Sequence, residues 1–129
     1  MIVVDASVLA PAVLDDGAEG TQKRDRLRGE QLAAPDLAKV EAASAIRRHL
    51  AAGLVDERRA TLAIDDLISL PVLLFPTEPF LTRAWALRDN VTTYDACYIA
   101  LAETLACALV TADGRLSRAP GVRCPVELI

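Results

Sequence analysis

The sequence predicts an α/β fold, a three-layer α/β/α sandwich around a central, mainly parallel sheet of five strands. Three observations carry this expectation. The apolar runs Ile2–Val4, Val72–Phe75 and Ala108–Thr111 are continuous rather than alternating, as befits parallel strands covered on both faces. Segments of helical spacing separate the strands, the pattern that parallel crossover connections leave in a sequence. The length of 129 residues, with 53% hydrophobic and 25% charged side chains, suits one globular domain over 1–129 and excludes a disordered chain.

Taken in order, strand Ile2–Val4 leads into a helix over Ser7–Leu14, which Pro11 should kink or shorten. A polar helix over Ala18–Arg28 precedes strand Gln31–Ala34. The next helix, Asp36–Ala51, carries the stripe Leu37, Val40, Ala43, Ile46 and Leu50 at three- and four-residue spacing, which should face the core. Helix Asp56–Ser69 and strand Val72–Phe75 follow, then helix Pro79–Arg88. The helix Tyr94–Leu105 contains the charge-free stretch Ala96–Ala102 and should be largely buried. Strands Ala108–Thr111 and Val126–Ile129 complete the set. Pro35, Pro71, Pro76 and Pro125 fall at junctions, where proline belongs, and no repeat, low-complexity tract or linker interrupts the pattern.

Several function classes drop out at once. No apolar stretch is long enough to span a bilayer, and the opening Met1-Ile2-Val3-Val4-Asp5 reads as neither signal nor transit peptide. The three cysteines, Cys97, Cys107 and Cys124, form no C-x-x-C pair and suit reduced thiols in a cytoplasm. No G-x-S-x-G elbow, phosphate-binding glycine loop or dinucleotide fingerprint is present. His49, beside Arg47 and Arg48, reads as a surface residue. The net charge of −4 runs against the basic balance usual in nucleic-acid binders. Setting aside four candidate metal ligands leaves 14 acidic residues against 14 basic ones, of which 12 are arginine, the better phosphate partner.

Those four ligands are Asp5, Glu41, Asp95 and Asp113. Asp5 directly follows the first strand and Asp113 closely follows the fourth, at the carboxyl ends where open parallel sheets bind ligands. Helix capping by Asp5 and an Asp-Gly turn at Asp113 are the ordinary readings, and neither explains why both acids occur at the same end. Glu41 is one position off the apolar stripe of its helix, among the small residues Ala42, Ser44 and Ala45. Asp95 is the one acid in the first turn of a buried helix, and Thr92-Thr93-Tyr94-Asp95 also fits a capping box. Clustered carboxylates favour the hard ions Mg²⁺ or Mn²⁺, which can activate water for phosphodiester cleavage.

The segments Ile-Val-Val-Asp-Ala-Ser-Val-Leu (2–9), Thr-Tyr-Asp-Ala-Cys-Tyr-Ile-Ala-Leu-Ala (93–102) and Leu-Val-Thr-Ala-Asp-Gly-Arg-Leu (109–116), with the Glu41 helix between them, resemble PIN-domain proteins. More narrowly they resemble the VapC toxins of bacterial type II toxin–antitoxin modules. The resemblance covers essentially the whole chain. It implies sheet order 3-2-1-4-5, a Mg²⁺- or Mn²⁺-dependent endoribonuclease cutting tRNA or ribosomal RNA, a homodimer and a VapB-type antitoxin. The family's acidic positions map onto Asp5, Glu41, Asp95 and Asp113, and its supporting hydroxyls onto Ser7 and Thr111. Some relatives carry one more acid after the last of these. Here Gly114-Arg115-Leu116 follows, which leaves one ion or two open.

For RNA contact the sequence offers Lys23, Arg24, Arg26 and Arg28 on the second helix, of which Arg24 and Arg28 share a face, and Arg115 and Arg118 just past Asp113. Aromatic residues are only 4%, too few to suggest a base-stacking platform. Three rival readings remain. A haloacid-dehalogenase-like phosphatase would need an acid where Ser7 stands. A phosphoacceptor receiver would need a late lysine, and none follows Lys39. A metal-binding scaffold of the PIN type without activity would keep the four acids.

Overall fold

A computed structural model describes residues 1–129. Its strands are β1 (Ile2–Val4), β2 (Leu32–Pro35), β3 (Val72–Phe75), β4 (Leu109–Thr111) and β5 (Val126–Leu128). Its helices are α1 (Ala6–Leu14), α2 (Ala18–Leu27), α3 (Ala38–Ala51), α4 (Glu57–Ser69), α5 (Leu81–Ala86) and α6 (Thr93–Thr104). The strands form one sheet in the order β3-β2-β1-β4-β5, every neighbouring pair parallel. The expected α/β architecture and strand order are both present.

Connections in parallel sheets are right-handed, so crossovers running in opposite directions lie on opposite faces. The chain steps from β1 to β2 to β3 through α1–α4, which pack on one another, and returns to β4 through α5 and α6, which pack together. The central strand β1 is buried along its whole length, and Val3, Val4, Leu109 and Val110 are completely covered. Aliphatic side chains and alanines dominate the core, and Tyr98 is its largest fully buried side chain. No helix is long and apolar enough to cross a membrane.

Three local expectations need correction. Strand β3 lies at the sheet edge, and Leu73 and Leu74 are 46% and 43% exposed instead of covered on both faces. An edge position leaves a continuous apolar run partly in solvent. On α3 the buried residues are Ala38, Ala42 and Ile46, while Val40 is 71% exposed and Leu50 is exposed too. The buried stripe keeps Ile46 from the expected one and otherwise consists of the alanines Ala38 and Ala42, which a search for large side chains passes over. Pro11 neither breaks nor shortens α1, which runs on to Leu14.

Helix α1 holds because almost all of it is buried and its far end is capped by arginines. Arg24 Nη1 donates to the carbonyls of Ala12 and Asp15 at 3.0 and 2.7 Å, and Arg59 Nη2 donates to Val13 O at 2.8 Å. Cations there meet the negative end of the helix dipole. The Asp15 carboxylate accepts from Gly17 N–H and Gly20 N–H, so the α1–α2 corner is fixed from both sides. A side chain at Gly20 would begin 1.9 Å from Asp15 O, and only glycine fits.

Candidate active site

Where crossovers change direction, an open parallel sheet leaves a crevice at the carboxyl ends of its strands. Here the chain leaves β1 towards β2 and later returns on the other side as β4, so the crevice opens between β1 and β4. Asp5 stands at the end of β1, and Asp113 lies two residues beyond β4.

Asp5 is only 6% exposed. It caps α1, Oδ1 accepting from Ser7 N–H at 3.3 Å. Its Oδ2 accepts from the hydroxyls of Ser7 and Thr111 at 2.9 and 2.6 Å. The register explains the meeting: Val4 pairs with Val110, so Asp5 and Thr111 come next and side by side. Ser7 Oγ accepts from Ala112 N–H and Thr111 Oγ1 from Asp113 N–H, both at 3.0 Å. Each hydroxyl therefore spends its one proton on Asp5 while its lone pairs hold the backbone that carries Asp113.

Glu41 sits in the first turn of α3, half-buried, and accepts from the Tyr98 hydroxyl at 2.8 Å. Burial pushes its carboxyl up from the ordinary value, and the charges of Asp5 and Asp95 push the same way against the pull of Tyr98. Asp95 is in the first turn of α6, where Thr92 Oγ1 caps the helix by accepting from Asp95 N–H at 3.1 Å. Burial raises the Asp95 carboxyl too, with Asp5 and Asp113 adding to the rise and Thr92 opposing it. Asp113 goes the other way. The Arg115 guanidinium and N–H hold it below the usual carboxylate range, the N–H bond being 2.8 Å long.

The four acids thus share one electrostatic neighbourhood, Glu41 and Asp95 both feeling Asp5, and Asp95 also feeling Asp113. No three Asp, Glu, His or Cys side chains are drawn together closely enough to make a ready cage for an ion. Asp5, Glu41 and Asp113 each accept hydrogen bonds from protein donors instead. The donor set nevertheless fits a hard dication. It is all carboxylate, and Glu41 and Asp95 have no cationic ion-pair partner. The nearby Cys97 is buried, and its thiol is pushed up by burial and by the charge of Glu41, so it stays protonated.

Asp95 and Asp113 line a polar cleft of about 420 Å³ together with Thr92, Arg88 and Arg115. Of the arginines offered by the sequence, Arg115 is there, 90% exposed and paired with Asp113 at 3.3 Å. Arg118 is exposed and lies against Gly114. Arg24 and Arg28 are not at the site. Arg24 caps the far end of α1, and Arg28 pairs with Asp25 at 3.0 Å on the wall of a separate hollow near the amino ends of β2 and β3. Lys23 is 3% exposed, and Arg26 is held by Glu127 and Glu30. Spacing on a helix puts charges on one face without saying that the face is already occupied. His49 is exposed, its Nδ1 2.9 Å from Ala45 O.

Two residues escaped the sequence reading. Tyr98 left one trace, a polar tip inside the charge-free stretch Ala96–Ala102, three residues after Asp95. Arg88 left none, because the chain from Leu87 to Val91 has no pattern that aims a side chain at the cleft.

A sequence model of the PIN domain matches residues 2–122. The chain is 42% identical to Ribonuclease VapC9 of Mycobacterium tuberculosis over 132 residues, covering 100% of this chain and 98% of the relative. It is 39% identical to Ribonuclease VapC12 of the same organism over 129 residues, covering 100% and 99%. The crystal structure of Mycobacterium tuberculosis VapC20, described as a sarcin-ricin loop cleaving toxin, superposes with a TM-score of 0.72. At 17% identity over 95% of this chain and 97% of the other, that is a likeness of fold.

Proposed function

This chain belongs to the PIN-domain family, among the VapC ribonucleases, and on that premise we propose that it is an endoribonuclease of the toxin kind which hydrolyses RNA with a divalent cation held by Asp5, Glu41, Asp95 and Asp113. The observation that supports this reading is the end of the crevice between β1 and β4, around which the four carboxylates stand near enough for Asp5 to raise both Glu41 and Asp95, in addition to the effect of burial. Carboxylates are brought together against their own repulsion where a cation is to be held. When bound, Mg²⁺ or Mn²⁺ supplies the positive charge that lets water attack a phosphodiester. Ser7 and Thr111 fix Asp5, and Tyr98 fixes Glu41, so the carboxylates keep their positions while charge builds on the phosphate. Arg115 is placed to exchange Asp113 for an RNA phosphate.

The RNA is of the tRNA or ribosomal class, and the protein works in the cytoplasm under a VapB-type antitoxin. A second copy of the chain is its further partner, and the exposed apolar side chains Val40, Ile68, Leu73 and Leu74, on α3, α4 and the edge strand β3, are the residues whose covering in a homodimer would be expected. The deciding experiment incubates the protein with total RNA and Mg²⁺ or Mn²⁺ and maps the cut ends. Discrete cuts with 5′-phosphate and 3′-hydroxyl ends, abolished by chelator, are expected. Intact RNA under every metal condition would leave an inactive scaffold, and cuts that persist in chelator would remove the metal from the reaction.

A further inference from the structure

Arg88 is the exposed arginine of the acid cleft that no carboxylate has claimed. It lines the cleft beside Asp95 and Asp113, and it forms no ion pair. Its guanidinium is nevertheless held in place. The guanidinium carbon lies 5.0 Å from the centre of the Trp85 ring, and Nη1 donates to Trp85 O at 3.0 Å. A stacking contact with an indole orients a guanidinium without neutralising it. The other arginine facing the cleft, Arg115, is tied to Asp113.

The support beneath this pair is rigid. Leu87 is buried, its N–H donating to Arg83 O and Ala84 O. Arg83 pairs with Glu103 at 2.8 Å and donates to Gly121 O at 2.7 Å, which fastens α5 to the rest of the fold. Trp85 itself is 67% exposed, although large apolar side chains are normally covered. The low aromatic content argues against a stacking platform only if aromatics are spread evenly, and here they are not. Of five aromatic residues, Trp85 stands beside the cleft through Arg88, and the exposed Tyr94 immediately precedes Asp95.

We propose that Arg88, seated on Trp85, is the substrate-positioning clamp of this site, its guanidinium taking an RNA phosphate next to the scissile one while the open surface of Trp85 stacks on an unpaired base. The proposal rests on the ribonuclease reading above and adds the two side chains that grip the strand, at a place where an unpaired base is free to stack. It also gives a chain of net charge −4 a local means of gripping a polyanion.

Trp85 is the sole tryptophan, so its fluorescence reports on the clamp directly. Binding is read by titrating a single-stranded RNA oligonucleotide in Mg²⁺ in a cleavage-deficient Asp5→Asn background. Kinetics on the same RNA are read with Asp5 intact. Saturable quenching is expected. Arg88→Ala should weaken binding about tenfold or more and raise KM by a similar factor, with kcat changed far less. Arg88→Lys should recover only part of this, since an ammonium stacks poorly. Arg47→Ala, an exposed arginine on α3, should behave as the unsubstituted protein, and melting temperatures should match throughout. An Arg88→Ala chain that binds as tightly as before overturns the assignment while cleavage by the intact site upholds the ribonuclease reading. Fluorescence that follows protein concentration and ignores RNA also overturns it, by placing Trp85 under a second copy. A chain that neither binds nor cuts RNA overturns both readings.

Discussion

At the scale of single residues, the site rests on a hydrogen-bond economy around Asp5. Both hydroxyls that reach its Oδ2 have committed their protons, so Asp5 is an acceptor with little freedom. Asp5→Asn retains those two bonds if the amide oxygen takes the Oδ2 place, and it sets an NH₂ only against the long contact from Ser7 N–H. Thr111→Val is nearly isosteric but removes a donor to a buried carboxylate and the acceptor for Asp113 N–H. Leaving such groups unpaired costs about 1–3 kcal/mol. Chemical denaturation in chelator should therefore show Thr111→Val as the less stable variant, while RNA cleavage falls more than a hundredfold in Asp5→Asn. The reverse order of stabilities would mean that Asp5 is not held as described. The places of Asp5 and Asp113 just past β1 and β4 were legible in the sequence because a strand end is a position that pattern can locate. Tyr98 and Arg88 were hard to see because their roles depend on reach across the sheet and on a loop's path.

At the scale of elements, the six helices and five strands largely fall where spacing puts them, since periodicity reports burial on one face. It fails where burial is achieved by small residues, as on α3, or where a run sits at an edge, as in β3. The tight corners are less visible still. Gly20 touches the carbonyl of Asp15, so Gly20→Ala should push α2 off α1 and lower the melting temperature by several degrees, although alanine favours helices. An unchanged melting temperature would show that the corner can open. The tie between α5 and α6 makes a second prediction. Arg83 holds the Glu103 carboxyl below its ordinary value of 4.5, and Arg123 N–H also donates to it. A depressed carboxylate stabilises the fold fully above that ordinary value and loses the contribution as pH falls through the lower folded one. Urea midpoints should drop between pH 5 and pH 3, and Glu103→Gln should flatten that part of the profile. A profile unaltered by the substitution would assign the acid sensitivity elsewhere.

At the scale of the whole molecule, opposing demands meet in the crevice between β1 and β4, which must be dry enough to hold its carboxylates and open enough to admit RNA. Filling it with Mg²⁺ should raise the melting temperature, and Asp95→Asn should raise the metal-free melting temperature while blunting the response to Mg²⁺. No response to the ion in the unsubstituted chain would count against the carboxylate site. The fold class was legible as a whole because alternation of strand and helix leaves few parallel arrangements. Strand order came through resemblance, as no periodicity ranks neighbours within a sheet. One bond of that sheet has a further consequence. Thr111 reaches Asp5 across 106 residues, and β1, made first, waits for β4 before its second edge is paired. Contacts of such separation form late in folding. A nascent or clipped chain that stops short of β4 lacks Asp113 and leaves Asp5 without Thr111, however well α3 and α4 have folded. If the four acids act together as proposed, a chain truncated before Leu109 should cleave no RNA, so the bond from Thr111 to Asp5 joins the completion of the sheet to the completion of the site.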